Sequence, residues 1–563
     1  MSRILVEHSV CLVGERVRVL TECEHEDTLT VLKGTERVHR VGVSAGSEVV
    51  EFEISEAGVY ELVLEGAKVS GSFAALERPE KPPLLAIVFH NHQAPNYSPD
   101  GSIREPWAFK HVWDNEFHPY YRGGAYYLQA ALLSSWRMQW NANLSPSLLK
   151  QWADLLDKGI MLNAGGVYIG IDPDSPTAGM VRETLEGFRE LVNKGLLELM
   201  TSFYSHPLAG YLADAYGWLD ILREELKWGK GISVQVMGVE PKGLWLPELS
   251  FSMKLTRLMR ECEIEFTVLD SMNHFTGAVG DKGSIYEPYL LDDVIVFFRH
   301  TGLSDLWSFK YSNVKNPAEA EVGARDLALR LVLEAYVNKA KPLTVALDGE
   351  NWMILPEPKP FSAILFNGLL EQLKWAEDKG LVKLVKLSDL LGKVEPRKLV
   401  NVPSRSWRGG YDKWLTDRRA MQEAIWSNIV DAYELYKAID NSLGCGSEET
   451  LAVMHTVNSD HIWAEFADES YAREWAEFLK GKLQEVVSSI KLEGFTRDKL
   501  IVRWIHNKPT RILVRTDGRA QIYTLQPGLN ELYFDGSSIT IALKGWTKEV
   551  LIGKPIVKYT PTS

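Results

Sequence analysis

Between residues 84 and 403 the chain alternates short, almost wholly apolar runs with longer helix-like stretches, and this pattern restricts the fold more than any other feature. The apolar runs have the length of strands and include LLAIVFH, LLELMTS, EFTVLD, VIVFFRH and LTVALDGE. Continuous apolar strands separated by helices indicate a parallel sheet that is buried on both faces. The length of the region suits a TIM-like barrel that lacks one unit. The sequence therefore predicts an α/β fold, with an incomplete (β/α)7 barrel over 84–403.

The segments that flank this region have different patterns. Residues 1–78 alternate polar and apolar positions between glycine turns, which is typical of a small β-sandwich, and the charged, proline-rich stretch 77–83 predicts a linker. Residues 404–488 have helical periodicity, and 489–563 again have the pattern of strands. We therefore expect a β-sandwich at each end of the chain, and a helical module that completes a cleft beside the barrel.

The overall composition disfavours several classes of protein. The 563 residues contain 75 Asp and Glu against 62 Lys and Arg, so the formal net charge is −13. An acidic surface repels phosphate backbones, so nucleic-acid binding is not expected. No run of residues resembles a signal peptide or approaches the ~20 apolar residues of a membrane span. These observations predict a cytoplasmic protein without a membrane partner, and the 18 Trp favour a carbohydrate ligand.

The four cysteines give little structural information. Cys11, Cys23, Cys262 and Cys445 form no CxxC pair, which excludes a zinc ribbon or a thioredoxin-like motif. A disulfide between Cys11 and Cys23, on neighbouring predicted strands, stays open as an alternative.

Polar residues follow several of the predicted barrel strands directly. They occupy His90–Gln93, Ser202–His206, Glu248, Asp270 and Asp348–Asn351. The carboxyl ends of parallel barrel strands meet at one rim, where active sites are built. This convergence predicts an enzyme.

Two carboxylates at this rim are candidates for catalysis. Glu248 follows a strand and lies three residues after Trp245, so it could attack a sugar ring that stacks on the indole, although a surface or helix-capping role is also compatible with its position. Asp348 ends a strongly apolar run, and a desolvated carboxyl has the raised pKa that a general acid needs. Glu350 is its rival within the same motif and is interpreted as a support residue.

The histidines His90 and His92 lie on the same side of their predicted strand. An HxH pair can bind a metal, but the further ligands of the common zinc motifs are missing. Neutral imidazoles that hold sugar hydroxyls fit the pattern as well, and so does a hydrogen-bonded structural pair. His206 follows another strand and belongs to the same set.

Taken in order, these motifs resemble those of glycoside hydrolase family 57. The resemblance rests on four motifs: HNHQAP (90–95), GLLELMTSFYSHPL (195–208), GLWLPELSFS (243–252) and VALDGENW (345–352). A looser fifth signal combines SWRGGYDKW (406–414) with NSDHIWAEF (458–466). The departures from the family pattern are Ala94 in the first motif, Ser205 where an aromatic residue is common, and His461 in place of Trp. They concern the predicted substrate pocket and leave the predicted chemistry intact.

The resemblance implies a retaining mechanism with Glu248 as nucleophile and Asp348 as general acid/base, and it requires neither a cofactor nor a metal. The predicted partner is an α-glucan polysaccharide or oligosaccharide. The predicted substrate-binding residues are His90, His92, His206, Trp245, Glu350, Trp352, Trp407, Asp460 and Trp463.

The leading functional interpretation is an α-amylase or amylopullulanase that cleaves α-1,4 and also, as an option, α-1,6 glucosidic bonds. A 4-α-glucanotransferase or branching enzyme of the same family is the first alternative, although Leu249 stands where branching enzymes tend to carry Cys. A non-catalytic glucan-binding protein, and a metal-dependent deacetylase or mannosidase on a similar barrel, are less favoured. The sequence leaves a homo-oligomer open.

Overall fold

The structure is a computed structural model that describes residues 2–339, 341–496, 498–516, 519–535, 538–543, 546–551 and 557–561. None of the helices it describes is both long and apolar enough to cross a membrane.

The first eight strands form two small sheets. They are β1 (Arg3–Val6), β2 (Val10–Leu12), β3 (Arg16–Cys23), β4 (Asp27–Lys33), β5 (Glu36–Val43), β6 (Gly46–Glu53), β7 (Gly58–Leu64) and β8 (Val69–Leu76). One sheet has the order β1-β3-β6 and the other β2-β8-β7-β4-β5. Alternating apolar side chains of these strands, such as Val19, Leu29 and Leu62, make a buried core of their own. Cys11 and Cys23 are both buried free thiols, so the structure does not support the disulfide alternative.

A second, larger sheet follows in the chain. Its strands and a separate hairpin are β9 (Leu84–Asn91), β10 (Trp140–Leu144), β11 (Ile160–Ala164), β12 (Val167–Ile171), β13 (Leu197–Thr201), β14 (Gly243–Leu244), β15 (Phe266–Asp270), β16 (Val279–Gly280), β17 (Tyr289–Leu291), β18 (Val294–Arg299), β19 (Leu343–Asp348), β20 (Lys383–Leu384) and β21 (Arg397–Asn401). Only β11 and β12 lie outside the large sheet, as an antiparallel pair.

Seven strands of the large sheet run parallel to one another, in the order β18-β15-β14-β13-β10-β9-β19. Seven of the eight residues of β9 are buried, as are all five of β10 and β15, so both faces of the sheet are covered. The two ends of this order approach each other where the His300 N–H donates to the Thr344 carbonyl at 2.7 Å. No ladder pairs β18 with β19 among the strands that the structure describes.

Helices connect the parallel strands and cover them. They are α1 (Trp107–Trp113), α2 (Ala125–Trp136), α3 (Pro146–Lys158), α4 (Pro176–Asn193), α5 (Ala209–Tyr211), α6 (Leu219–Met237), α7 (Lys254–Glu261), α8 (Thr301–Asp305), α9 (Pro317–Val337), α10 (Asn351–Ile354) and α11 (Pro360–Asp378). Three long helices begin with the same local signal, a side-chain cap followed by proline, at Ser145, Ser175 and Asn316. The cap oxygen accepts a main-chain N–H, and proline fixes the first helical φ angle.

Four further helices pack beside the large sheet: α12 (Asp412–Leu415), α13 (Arg419–Leu443), α14 (Ser447–Thr456) and α15 (Glu469–Ser488). α13 packs against both α14 and α15. The loop that joins α14 to α15 reaches the large sheet, because the Ser459 N–H donates to the His206 carbonyl at 3.1 Å.

The last strands form two more sheets, of orders β22-β23-β26 and β25-β24-β27-β28-β29. Their ranges are β22 (Ile490–Phe495), β23 (Lys499–Trp504), β24 (Thr510–Thr516), β25 (Arg519–Leu525), β26 (Gly528–Tyr533), β27 (Ser538–Leu543), β28 (Trp546–Leu551) and β29 (Val557–Pro561).

Candidate active site

The carboxyl ends of the parallel strands bring most of the predicted site residues to one edge of the large sheet. In the ladder register His90 of β9 lies opposite Asp348 of β19 on one side and Asn143 of β10 on the other. Trp245 and Glu248 follow directly after β14. The sequence placed these residues after separate strands, and the parallel pairing gathers them.

Hydrogen bonds fix the protonation of His90 and His206. The amide nitrogen of Asn143 donates to the Met200 carbonyl at 2.9 Å, so its oxygen must face His90 and accept from Nδ1 at 2.8 Å. The other nitrogen of His90, Nε2, then accepts from Nε2–H of His206 at 3.1 Å. Nδ1 of His206 in turn accepts from the Ser459 hydroxyl at 2.8 Å. These hydrogen bonds require a neutral His90 and are satisfied by a neutral His206.

Burial has the same effect on these two rings. It lowers the pKa of His90 to about 3 and the pKa of His206 well below the ordinary histidine value. The ring of His90 also stacks on Trp245, with ring centroids 4.8 Å apart and planes 14° from parallel. The pair is therefore neutral at physiological pH and held in one orientation.

His92 is joined to the helices beside the sheet. Its Nε2–H donates to Oδ2 of Asp460 at 2.7 Å. Burial opposes the ionisation of Asp460, but the attraction and hydrogen bond of His92 outweigh it and hold the pKa of this carboxyl below its usual range. Asp460 is thus a fixed negative charge at the edge of the site.

Glu248 adopts an unusual backbone conformation. It lies in the left-handed region, with φ 56° and ψ 17°, and Leu249 and His206 also have positive φ. A residue other than glycine rarely adopts this conformation, and such residues concentrate at functional sites. The turn points the carboxyl at Trp407, whose Nε1–H donates to Oε2 at 2.7 Å.

The surroundings of Glu248 oppose its ionisation. Burial raises the pKa of this carboxyl to about 8, the charges of Asp460 and Asp348 act in the same direction, and the Trp407 hydrogen bond and Arg408 lower it. The indole N–H is therefore a main stabiliser of the carboxylate form.

Asp348 ends β19 with an exposed side chain, although protein groups surround it. This partial desolvation raises the pKa of its carboxyl, while the amide of Asn351, which donates to Oδ2 at 2.9 Å, lowers it. An accessible carboxyl with a raised pKa can hold a proton and deliver it.

Glu350 does not line an open surface. Its side chain is 2% exposed, and its two carboxyl oxygens accept the main-chain N–H of His92 at 3.4 Å each. Burial and the nearby Asp348 charge raise the pKa of Glu350 well above normal. This geometry gives Glu350 a supporting contact under His92 and does not expose it to a substrate, contrary to its place among the predicted substrate-binding residues.

Trp407 and Trp463 are half-buried beside the carboxylates, with nearly parallel rings whose centroids are 6.5 Å apart. The Arg408 guanidinium lies over both indoles, 5.2 Å and 5.8 Å from their centroids. A cation over an aromatic face is attracted by the ring quadrupole. A sugar that stacks on the face covered by Arg408 must therefore displace this side chain.

The expectation of a stacking face at Trp352 is wrong. This residue is 2% exposed, and its ring packs against Phe89, Trp307 and Phe366 in the core of the sheet region. Trp414, in one of the motifs singled out above, is fully buried as well and packs edge-on against Trp463. Neither indole offers a face to a ligand. Trp245, also predicted to bind substrate, is 4% exposed and packs in the core against His90, so its predicted sugar contact is not supported either.

Sequence reasoning assigned no role to the residues that orient the predicted ones. Asn143 and Ser459 fix the histidine tautomers, and Asn351 contacts Asp348. Glu225 of α6 is fully buried and accepts from both the main-chain N–H and the hydroxyl of Ser205, next to His206. Asn143 could have been noticed as a polar residue at the end of an apolar strand, but only the fold brings Glu225 and Ser459 here.

The histidines do not suit a metal ion. His90, His92 and His206 have nitrogens within 4.8 Å of one another, and so do the ligand atoms of His206, Glu248 and Asp460. An imidazole binds a metal through a nitrogen lone pair in the ring plane. The rings of His92 and His206 are stacked, with centroids 3.8 Å apart and planes 15° from parallel, so one ion cannot lie in both planes. Both nitrogens of His206 are also engaged in hydrogen bonds.

Comparison with known proteins agrees with this arrangement. The family model described as glycosyl hydrolase family 57 matches residues 86–403, which is more than half of the chain and includes the large sheet. The chain belongs to glycosyl hydrolase family 57. The match identifies the region 86–403 as a catalytic domain of this enzyme family.

Curated relatives in family 57 carry two different names. An α-amylase of Pyrococcus abyssi is 31% identical over 227 residues, which cover 39% of this chain and 31% of the relative. A 4-α-glucanotransferase of Thermococcus litoralis is 25% identical over 233 residues, or 40% of this chain and 31% of the relative. The match thus spans under a third of the length of these relatives.

Solved structures of family 57 share the fold. The 4-α-glucanotransferase of Thermococcus litoralis is similar with a TM-score of 0.52 and 17% identity, over 84% of this chain and 65% of that one. The branching enzyme of Pyrococcus horikoshii is similar with a TM-score of 0.50 and 16% identity, over 70% and 87% of the two chains. At these identities the likeness concerns the fold alone.

Proposed function

We propose that this protein is a retaining α-glucan-active glycosidase, built on an incomplete (β/α)7 barrel at 84–403 with the three other domains predicted from the sequence. The observation that carries the proposal is the pair of carboxyls of Glu248 and Asp348, which follow two strands at one edge of the sheet, beside the neutral rings of His90 and His206. Membership of family 57 and the names of the relatives support an α-glucan as substrate.

In the first step Glu248 attacks the anomeric carbon as the bond to the leaving oxygen breaks. Because Oε2 accepts the Trp407 hydrogen bond, Oε1 is the oxygen free to form the glycosyl-enzyme ester. Asp348 gives its proton to the leaving oxygen and becomes a carboxylate. In the second step Asp348 takes a proton from water, whose oxygen attacks the anomeric carbon and releases Glu248.

The other residues hold the sugar at the bond that breaks. His90 and His206 use their ring nitrogens in bonds to each other, to Asn143 and to Ser459, and they pack against His92, which Asp460 orients. Nδ1 of His92 is the nitrogen of these three rings that has no protein partner, so it would accept from a sugar hydroxyl. Trp407 and Trp463, which are half-buried, supply apolar surface for sugar rings. The charge of Asp460 also stabilises the positive charge that develops at the anomeric carbon.

Hydrolysis is the leading form of this chemistry, and transfer to a sugar hydroxyl is the second candidate, because the relatives include a glucanotransferase. Incubation with maltoheptaose, followed by product analysis and a reducing-end assay, separates the two. We expect short maltooligosaccharides and a net rise in reducing ends. Products longer than maltoheptaose, without new reducing ends, would show that the protein transfers glucan chains instead of hydrolysing them. Short products from pullulan would show that the protein also cleaves α-1,6 bonds.

We expect the activity to survive removal of divalent metals. The reason is that the stacked histidines are committed to hydrogen bonds and the carboxyl chemistry requires no ion. The measurement is kcat/KM on maltoheptaose before and after EDTA treatment, with metal content determined in parallel. A loss of activity that zinc restores, and magnesium does not, would show that the histidines bind a metal after all.

A further inference from the structure

The turn after β15 is tied to the loop that carries Trp407. Residues Ser271–Phe275 form a π-helical turn, a rare geometry that is frequent at functional sites. The side-chain amide of Asn273 in this turn donates both to the Trp407 carbonyl and, at 3.2 Å, to Oδ1 of Asp270. The same oxygen of Asp270 also accepts the Asn273 main-chain N–H at 2.8 Å. Asn273 is thus fixed by Asp270 and in turn fixes Trp407.

Asp270 is anchored by a buried ion pair that also reaches the strand of the second carboxylate. The Asp270 side chain is fully buried and that of Arg299 is 7% exposed, and Nε of Arg299 donates to Oδ2 of Asp270 at 2.8 Å. Nη1 of Arg299 donates to the Ala346 carbonyl at 3.1 Å, two residues before Asp348. One ion pair therefore contacts both the turn that holds Trp407 and the strand that ends in Asp348.

Further contacts hold the loop around Trp407 against the same turn. The Asp270 N–H donates to Nδ1 of His274, so Nε2 carries the proton that is donated to the Arg405 carbonyl at 3.0 Å. Gly409 also packs closely, because a Cβ there would lie 2.9 Å from the Asn273 side-chain oxygen. Contacts at Arg405, Trp407 and Gly409 therefore hold this loop against one turn.

We propose that Asn273, held by the Asp270–Arg299 pair, is a positioning residue that keeps the Trp407 indole in place to donate its hydrogen bond to Glu248. The inference rests on the proposed function, in which Glu248 is the nucleophile. Asn273 itself acts only through Trp407. The main-chain N–H of Trp407 also donates to the Glu248 carbonyl, at 3.0 Å, so the two residues are coupled at two points.

The consequence is a pH dependence with a definite sign. The charged or titratable groups that face Glu248 are Asp348, Asp460, Arg408 and His206. None of them is altered by a change at residue 273. Loss of the indole N–H contact raises the pKa of Glu248, because it removes a stabiliser of the carboxylate. The nucleophile must be ionised, so the acid limb of the kcat/KM profile moves to higher pH.

The test compares Asn273→Ala, Trp407→Phe and the double variant with the wild type. Asn428→Ala is the matched control, because the Asn428 amide also donates to a main-chain carbonyl, that of Ala424, but within α13. The measurements are the pH profile of kcat/KM on maltoheptaose and a pH titration of tryptophan fluorescence. Difference titrations between variants with and without Trp407 isolate the signal of that indole independently of activity. Thermal unfolding checks the fold, and Asn273→Ser replaces Asn273→Ala if the latter is unfolded.

We expect Trp407→Phe to move the acid limb up by about one pH unit, which is the size of a charge-assisted hydrogen bond. Asn273→Ala should move the acid limb up by about half a pH unit or more. The double variant should show the same shift as Trp407→Phe, and Asn428→Ala should leave the acid limb unchanged. An acid limb and a fluorescence midpoint that both stay in place in Asn273→Ala would overturn the inference, and so would additive shifts in the double variant. If only the fluorescence midpoint moves, the positioning holds and the role of Glu248 as nucleophile fails instead.

Discussion

Glu248→Gln should lower kcat by about 10³ or more, because an amide of the same size cannot form the glycosyl-enzyme ester. The substitution keeps the shape of the side chain and leaves an oxygen that can still accept the Trp407 hydrogen bond. We therefore expect folding and substrate affinity to change little. Steady-state kinetics on maltoheptaose, with thermal unfolding in parallel, give the comparison.

Glu263→Gln is a matched control for this variant. Glu263 is also a left-handed glutamate, with φ 56°, but its side chain is 82% exposed at the end of α7. It should retain wild-type kinetics. A second check is chemical rescue of Glu248→Ala by azide, which should occupy the vacated space and yield a glycosyl azide of inverted configuration. More than a tenth of wild-type activity in Glu248→Gln would show that the nucleophile lies elsewhere.

Asp348→Asn should be nearly as damaging on natural glucans, with a loss of about 10³ in kcat, since the leaving oxygen then departs without a proton. The loss should be much smaller in the first step for a glycosyl fluoride, whose leaving group needs no proton. This dependence on the leaving group separates a proton donor from a residue that only supports the fold. It is measured as the ratio of kcat/KM values for the fluoride and for maltoheptaose in each protein.

Asp378→Asn, on the exposed end of α11, serves as the control for the loss of one negative charge. It should change neither substrate's kinetics. Equal losses of Asp348→Asn on the fluoride and on maltoheptaose would contradict the acid/base role. In that case Glu350, the other carboxyl of the motif, would become the first candidate for the proton donor.

The order of strands and helices around the site was predictable because each apolar run carries its own signal. The run before Asp348 is buried almost throughout, as continuous apolar residues require in a parallel sheet. The polar residue that ends such a run has to lie at the carboxyl edge. This is why His90, Glu248 and Asp348 could be placed near one another from the sequence.

Other features depend on contacts between distant segments and were not predictable. An indole beside an Asp-Gly-Glu motif looks the same in sequence whether it faces a cleft or the core, and Trp352 faces the core. The Asn273 amide reaches a carbonyl 134 residues away, at Trp407. Nothing local in either segment encodes that contact. Motif reading therefore pointed to the proposed reacting groups and gave no indication of the groups that orient them.

The left-handed conformation of Glu248 has a consequence for how this chain can change over generations. Only glycine adopts that conformation freely, and another residue loses about 1 kcal/mol or more there. Glu248→Gly would relieve the strain of this turn, whereas the proposed activity requires the carboxylate. Selection for stability and selection for activity therefore act in opposite directions at this position. A lineage that no longer needs the proposed activity should therefore lose this carboxylate early. The Asp270–Arg299 pair should persist, because loss of either partner would leave an unpaired buried charge.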